Sequence, residues 1–268
     1  MQDAVQTVRD FYDRSVEAEY NRIAGRPEFF LTCRYIDRYI KPGDTVLDIG
    51  GGPGRYALYL ARKGCAVTLL DLSGENVSFA AERAREQNLA LRALQGDARE
   101  ADTLAEGPFD HVLLMGPLYH LLEEAGRVQA VHAALRLLKP GGLLFASFIS
   151  MGGGLVFLLR ELPGQIIDPD EERFLIPLTE GRSYGGAAFT QAFFINQNEV
   201  LPFMERFSVE KLHLFGQEGV LAPNEKTVMA QPPEVVAAWT DLAEKLCEKE
   251  EYLSWAEHLM YIGRKLPV

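Results

Sequence analysis

A chain of 268 residues with 47% hydrophobic and 24% charged residues has the balance of a folded globular protein, which excludes a fibrous or disordered one. Its length admits one large domain, or a core domain carrying a smaller cap, and leaves two full domains cramped. With 27 Lys and Arg against 38 Asp and Glu the net charge is −11, and no basic run offsets it, so nucleic acid is a poor partner.

The first 43 residues have a helical pattern. Val5, Val8, Tyr12 and Val16 recur at three- and four-residue steps, as do Phe29, Cys33, Ile36 and Ile40. Pro27 suits a first helical turn and Pro42-Gly43 a stop. The segment Met1 to Arg14 carries charges throughout and lacks the apolar core of a signal peptide.

From Thr45 short apolar runs alternate with amphipathic stretches, as in strands buried on both faces of a parallel sheet. Strands are expected at about 45–50, 66–71, 90–95, 111–115 and 143–148, with helices at about 55–63, 74–87 and 123–138 between them. Gly64 and Asn88 read as helix stops. Such βα alternation predicts a doubly wound α/β sheet.

After Ser150 the alternation gives way to a Gly-, Arg- and aromatic-rich stretch over 151–194, with an apolar helix near 155–162; it reads as a cap inserted in the sheet domain. Beyond it a helix is expected at 198–207, a strand at 209–215, a long charged helix at 233–253 and a last strand at 258–264. The expected organisation is therefore an N-terminal helical lid (1–43), a core (44–150), a cap (151–194) and the rest of the core (195–268). Cys33, Cys65 and Cys247 have no ligand or redox spacing and read as buried, idle thiols. The longest apolar stretches, such as Leu155 to Leu159, are too short to cross a bilayer. A cytoplasmic protein without a membrane partner follows as the expectation; the sequence leaves its oligomeric state open.

The segment that carries chemistry is Val46-Leu47-Asp48-Ile49-Gly50-Gly51-Gly52-Pro53-Gly54-Arg55, a strand ending in an acid and four glycines that then opens a helix. Glycines allow a tight turn and let the backbone approach a ligand closely. Gly52, Gly54 and Ala57 also fit the G-x-G-x-x-A form of dinucleotide folds, so the loop alone does not identify the cofactor. Asp71, ending the second strand, can accept both hydroxyls of an adenosine ribose, a role common to NAD enzymes and methyltransferases. Asp97, after the third strand, can accept from an adenine amino group. Asp48 discriminates, because a cofactor carrying an ammonium and a sulfonium attracts a carboxylate that would repel a pyrophosphate.

Asp48-x-Gly50-x-Gly52-x-Gly54, Asp71, Asp97 and Leu138-Lys139-Pro140-Gly141-Gly142 resemble, in order and spacing, the successive motifs of class I S-adenosylmethionine-dependent methyltransferases. The resemblance is strong over roughly residues 40–150 and weaker at Phe194 to Leu201 and His258 to Lys265. It implies a mostly parallel seven-stranded Rossmann-like sheet and S-adenosylmethionine as cofactor. It also implies that Asp48 and Gly50, Gly51, Gly52 and Gly54 hold the methionine part, Asp71 the ribose, and Asp97 with the Ala98 amide the adenine, with Leu72 packed on the adenine face and Met115 beside the cofactor.

The acceptor is less legible. Family members that methylate nucleobase amines carry Asn/Asp-Pro-Pro-Tyr after strand four. Met115-Gly116-Pro117-Leu118-Tyr119-His120 lacks the amide at Gly116 and looks more like small-molecule methyltransferases, with His120 as general base and Tyr119 as positioning group. Cap residues Arg160, Arg173 and Arg182 with Phe174, Tyr184, Phe189, Phe193 and Phe194 suit an organic acid or a phenol-like molecule. The expected activity is methyl transfer to O, N or S, less readily to C. RNA methylation, an NAD-dependent oxidoreductase and a non-catalytic cofactor-binding module are the alternatives. No metal-ligand set is evident.

Overall fold

The computed structural model describes residues 2–267; the end residues of the expected lid and of the final core segment, Met1 and Val268, lie outside them. Two helices, α1 (Gln2–Arg22) and α2 (Pro27–Tyr39), precede the sheet. Then come β1 (Thr45–Ile49), α3 (Arg55–Arg62), β2 (Ala66–Asp71), α4 (Gly74–Glu86), β3 (Leu91–Gln95), α5 (Ala101–Leu104), β4 (Phe109–Leu114), α6 (Pro117–His120), α7 (Glu124–Leu137) and β5 (Leu138–Ser150). Gly64 and Asn88 take positive φ, +87° and +54°, where α3 and α4 end, so both stops act through the left-handed backbone.

The segment after β5 contains α8 (Met151–Glu161), α9 (Glu172–Thr179) and two strands that no sequence pattern had signalled, β6 (Tyr184–Ala187) and β7 (Gln191–Ile195). Then α10 (Gln197–Met204), β8 (Val209–Gly216), α11 (Glu225–Met229), α12 (Pro233–Leu246), α13 (Glu250–Leu253) and β9 (His258–Lys265) complete the chain. The long helix expected over 233–253 is two helices. Lys249 is extended between them, and the preceding Glu248 accepts from Tyr35 Oη at 2.7 Å.

β3-β2-β1-β4-β5 are parallel, β9 runs antiparallel to β5, and β8 is antiparallel to β9. These are the seven strands the resemblance implied. The sheet has nine because the cap adds β7, parallel to the end of β5, and β6, antiparallel to β7. Alternation was too weak to reveal this hairpin: Tyr184-Gly185-Gly186-Ala187 has only one large side chain to define a face. Leu47, Val112 and Leu144 pack toward one helical layer, and Val46, Leu113 and Phe145 toward the other, so the central strands are buried on both faces. Among the described residues, no helix is long and apolar enough to cross a membrane.

Candidate active site

A cavity lies over the carboxyl ends of β1, β2 and β4. The strand order reverses at β1, which is where doubly wound sheets open a crevice. Asp48, Gly50, Gly51, Gly52, Asp71, Leu72, Asp97, Ala98, Met115, Tyr119 and His120 all line it. Gly54 does not. At φ +86° it heads α3, and a Cβ there would stand 2.9 Å from the Ala80 Cβ, so it serves close packing of α3 on α4.

The glycine loop is tied to the second strand. Gly52 N–H donates to Asp71 Oδ2 at 2.8 Å, while Oδ1 accepts from Ser73 N–H at 2.9 Å and Asn76 Nδ2 at 3.1 Å. Three of the four lone-pair sites are thus taken, and Oδ2 keeps one for a ribose hydroxyl. Burial raises the Asp71 pKa, and these hydrogen bonds oppose the rise. Asp97 is gripped by Arg99, whose Nε and Nη2 donate at 3.0 and 2.6 Å and whose backbone N–H donates at 2.9 Å. Burial raises its pKa, but Arg99 outweighs that and holds the carboxyl below its usual range. Asp97 thus caps the helical turn at Ala98 while facing the cavity.

Asp48 is fully buried, and neither carboxylate oxygen has a hydrogen-bond partner. Burial, and then the charge of Asp71, push its pKa up to about 7, opposed by the Ala57 backbone N–H, which faces the carboxylate without reaching hydrogen-bond geometry. A buried carboxylate is costly without a counter-charge, so this orphaned group fits the ammonium of the methionine part of S-adenosylmethionine. Proton linkage tests the fit. Binding a cation lowers the Asp48 pKa, so calorimetry in buffers of different ionisation enthalpy should show proton release at pH 6 to 7 that fades by pH 9. Asp48→Asn should abolish the pH-dependent part. Without the cofactor the raised pKa has the opposite sign from a salt-bridged carboxylate: stability falls as pH climbs from the unfolded value through about 7.

α1 roofs the cavity. Val5, Val8, Tyr12, Glu19 and Arg22 face it, and Ser73 Oγ donates to Asp13 at 2.5 Å. At Ser15 the helix is kinked, with the hydroxyl bonded to the Phe11 carbonyl at 2.7 Å; such back-bonding bends helices. Tyr12 Oη lies 2.7 Å from His120 Nε2, and His120 Nδ1 lies 3.0 Å from the Gln191 carbonyl. The carbonyl can only accept, so Nδ1 carries the proton and Nε2 accepts from Tyr12. Burial pushes the His120 pKa down to about 4. His120 is therefore neutral at pH 7 and joins α1, α6 and β7 at one point. Tyr119 lines the cavity beside it, its phenol pKa raised by burial.

The cap arginines lie elsewhere. Arg160 pairs with Glu257 at 2.7 Å and Glu161 at 2.8 Å, Arg173 with Asp170 at 3.0 Å, and Arg182 with Glu180; none lines the cavity. Phe174, Tyr184 and Phe194 pack with Ile149 and Met151 as core, and Phe193 stacks under the Arg127 guanidinium at 3.6 Å. Phe189 meets the site residues, 5.9 Å from the His120 ring, and Tyr119 packs against the cluster of Phe174 and Phe194.

Arg55, stacked on the Tyr20 ring, and Arg22 both line the cavity. Arg22 is held by Glu19 at 2.9 Å and Glu28 at 3.1 Å, and Arg22, Glu19 and Glu28 form one ion-paired set. These three residues escaped the sequence reading because Glu19 and Arg22, three apart on a helix, look like any solvated surface pair. Glu28 in the first turn of α2 looks like a dipole-matching acid.

The crevice at the strand reversal, the unsatisfied acid in β1, the acid that ends β2 and the acid after β3 form the arrangement that the resemblance to class I methyltransferases implied. Residues 46–142 match a family model described as Methyltransferase domain, so this part of the chain is similar to S-adenosylmethionine-dependent methyltransferases. Over 108 residues it is 36% identical to the ubiquinone biosynthesis O-methyltransferase of Caulobacter vibrioides, covering 40% of this chain and 42% of that one. The chain spans about half the length of the curated relatives it matches. Among solved structures it is similar to the 1,6-didemethyltoxoflavin-N1-methyltransferase of Burkholderia thailandensis with bound S-adenosylhomocysteine. The TM-score is 0.61 at 18% identity, over 99% of this chain and 90% of that one. The [4+2]-cyclase SpnF is equally similar, with TM-score 0.61 at 21% identity over 98% and 97%; likeness at these identities shows the fold alone.

Proposed function

We propose that the protein transfers the methyl group of S-adenosylmethionine to a hydroxyl oxygen of a small organic molecule. The observation that carries this reading is the orphaned Asp48 carboxylate beside a second, polar end of the same cavity, lined by Tyr12, Glu19, Arg22, Glu28 and Tyr119. S-adenosylmethionine supplies a carbon already activated by its sulfonium, so the chain's task is alignment and exclusion of water. Asp48, Gly50 to Gly52, Asp71, Asp97 and Ala98 hold the donor, with Leu72 and Met115 packed against it. The oxygen acceptor is supported by the name of the Caulobacter relative and by the net charge of −11, which disfavours RNA.

His120 has its Nε2 engaged by Tyr12 and a depressed pKa. We therefore read it as the latch between roof and core, and Tyr119 as the group that positions the acceptor. His120→Ala should then weaken roof closure and affect all acceptors alike, whatever their acidity. A general base would instead spare acceptors that are already ionised. The test of the reading is an untargeted screen with methyl-labelled S-adenosylmethionine and the small-molecule fraction of a cell extract. Label should appear in O-methyl groups, and label confined to RNA or absent altogether would overturn the reading.

α1 and the 151–194 segment meet at His120 through Tyr12 and Gln191, and we propose that they close together. Amide exchange in both should slow when S-adenosylhomocysteine binds; protection limited to residues 50–54 would contradict joint closure.

A further inference from the structure

Beneath Glu28 lies a buried histidine that the reading above leaves idle. His258 opens β9, paired with Ile149 near the end of β5, and is 8% exposed. The fully buried Glu218 grips it twice. Oε2 accepts from the His258 backbone N–H at 3.0 Å and Oε1 pairs with Nδ1 at 2.6 Å. This fixes Nδ1 as the protonated nitrogen and leaves Nε2, which has no hydrogen-bond partner among the described residues, as the atom that gains or loses a proton.

Donor atoms of Glu28, Glu218 and His258 all lie within 4.8 Å of one another, and Glu28 lines the cavity. His258 does not itself line the cavity, and its ring is 6.0 Å from that of Tyr119, which does. The three could be counted as ligands for a cation. However, both Glu218 oxygens are taken by His258 N–H groups and one Glu28 oxygen by Arg22, and this arrangement holds a proton rather than a metal.

We propose that His258, oriented by Glu218, is the proton acceptor of the methyl-transfer site. The inference rests on the hydroxyl-acceptor reading. As the acceptor oxygen forms its bond to the methyl carbon, its proton passes across one water, beside Glu28 and Tyr119, to His258 Nε2. The carbon–sulfur bond breaks with its electron pair on sulfur, giving a neutral thioether, and the imidazolium is held by Glu218 until the proton leaves to solvent.

The groups facing His258 are Glu218, Glu28, Arg22, Tyr119 and the neighbouring Glu257, itself held by Arg160 and Arg26. Burial lowers the His258 pKa, but Glu218 and Glu28 outweigh burial and raise it above the ordinary histidine value. Turnover should accordingly rise with pH through a value above 6.5 and level off. Tyr12 and Gln191 occupy His120, so of the two histidines beside the site only His258 has a free Nε2.

The test uses the whole chain saturated with S-adenosylhomocysteine and labelled in the histidine rings. Nitrogen NMR should show the Nδ1–H form of His258, titrating above the ordinary value, with Glu218→Gln moving that titration to lower pH. With a panel of phenols of graded acidity as acceptors, Glu218→Gln should move the acid limb of kcat/KM by the same amount. His258→Asn should cost about a hundred- to ten-thousandfold with weakly acidic phenols and far less with a nitrophenol already ionised. Calorimetry with S-adenosylhomocysteine confirms that each variant is folded. An Nε2–H form, an unmoved acid limb, or an equal loss with every phenol would overturn the proposal while methylation itself continued. If the NMR runs as expected but no hydroxyl is methylated, the parent reading falls and takes the proposal with it.

Discussion

Asp71→Ala should weaken S-adenosylmethionine binding by about 1.5 to 3 kcal/mol, the range for hydrogen bonds to a charged group, or about ten- to a hundredfold in Kd. Two losses combine. The ribose hydroxyls lose an acceptor, and Gly52, Ser73 and Asn76 lose the carboxylate that ties the loop to β2. Asp71→Asn separates them, because the amide keeps one acceptor oxygen and turns a donor toward donors, so its affinity should fall between wild type and Asp71→Ala. Calorimetry on the three proteins checks the order. Unchanged affinity in Asp71→Ala would remove Asp71 from the cofactor site.

Gly50→Ala should have the largest effect on the fold. Gly50 has φ +73°, and a Cβ there would stand 2.3 Å from Pro117 Cδ and 3.4 Å from the Met115 carbonyl. Left-handed backbone costs an alanine about 1 to 2 kcal/mol and overpacking a further 1 to 3, together about 2 to 5 kcal/mol. In a chain of this size that lowers Tm by roughly 5 to 15 °C. A shift of the loop away from Pro117 would also move the amides of Gly51 and Gly52, so cofactor affinity should fall with stability. Gly43→Ala is the control: it too has positive φ, at +94°, but nothing lies within 4 Å of its Cβ position. It should pay only for the backbone and keep its affinity.

The legible and the hidden parts of this molecule differ in the range of the interactions that specify them. The five parallel strands and the loop from Asp48 to Gly54 could be read from local texture, because a strand buried on both faces must be apolar throughout and a loop that meets a cofactor must shed its side chains. The acids at Asp71 and Asp97 were legible for a similar reason, since a strand end fixes where each one points. The proposed acceptor end of the cavity is assembled from Glu19 and Arg22 on α1, Glu28 on α2 and Tyr119 on α6, with His258 on β9 nearby. Each of these has an ordinary local explanation until the fold brings them together. The cap misled for the opposite reason: Arg160, Arg173 and Arg182 looked like a binding set, but each found a carboxylate within a few residues or across the surface. The latch could not be anticipated, because Tyr12 and His120 are 108 residues apart.

One roof serves both ends of the cavity. Asp13 of α1 is fastened beside the cofactor half, while Tyr12, Glu19 and Arg22 of the same helix wall the acceptor half. Two ligands beneath a single cover cannot come and go independently. On the closure proposed above, filling one half should therefore change the affinity of the other. S-adenosylhomocysteine, which fits the same half as the donor, should compete with S-adenosylmethionine. On the proposed function, turnover should then fall as S-adenosylhomocysteine accumulates over S-adenosylmethionine.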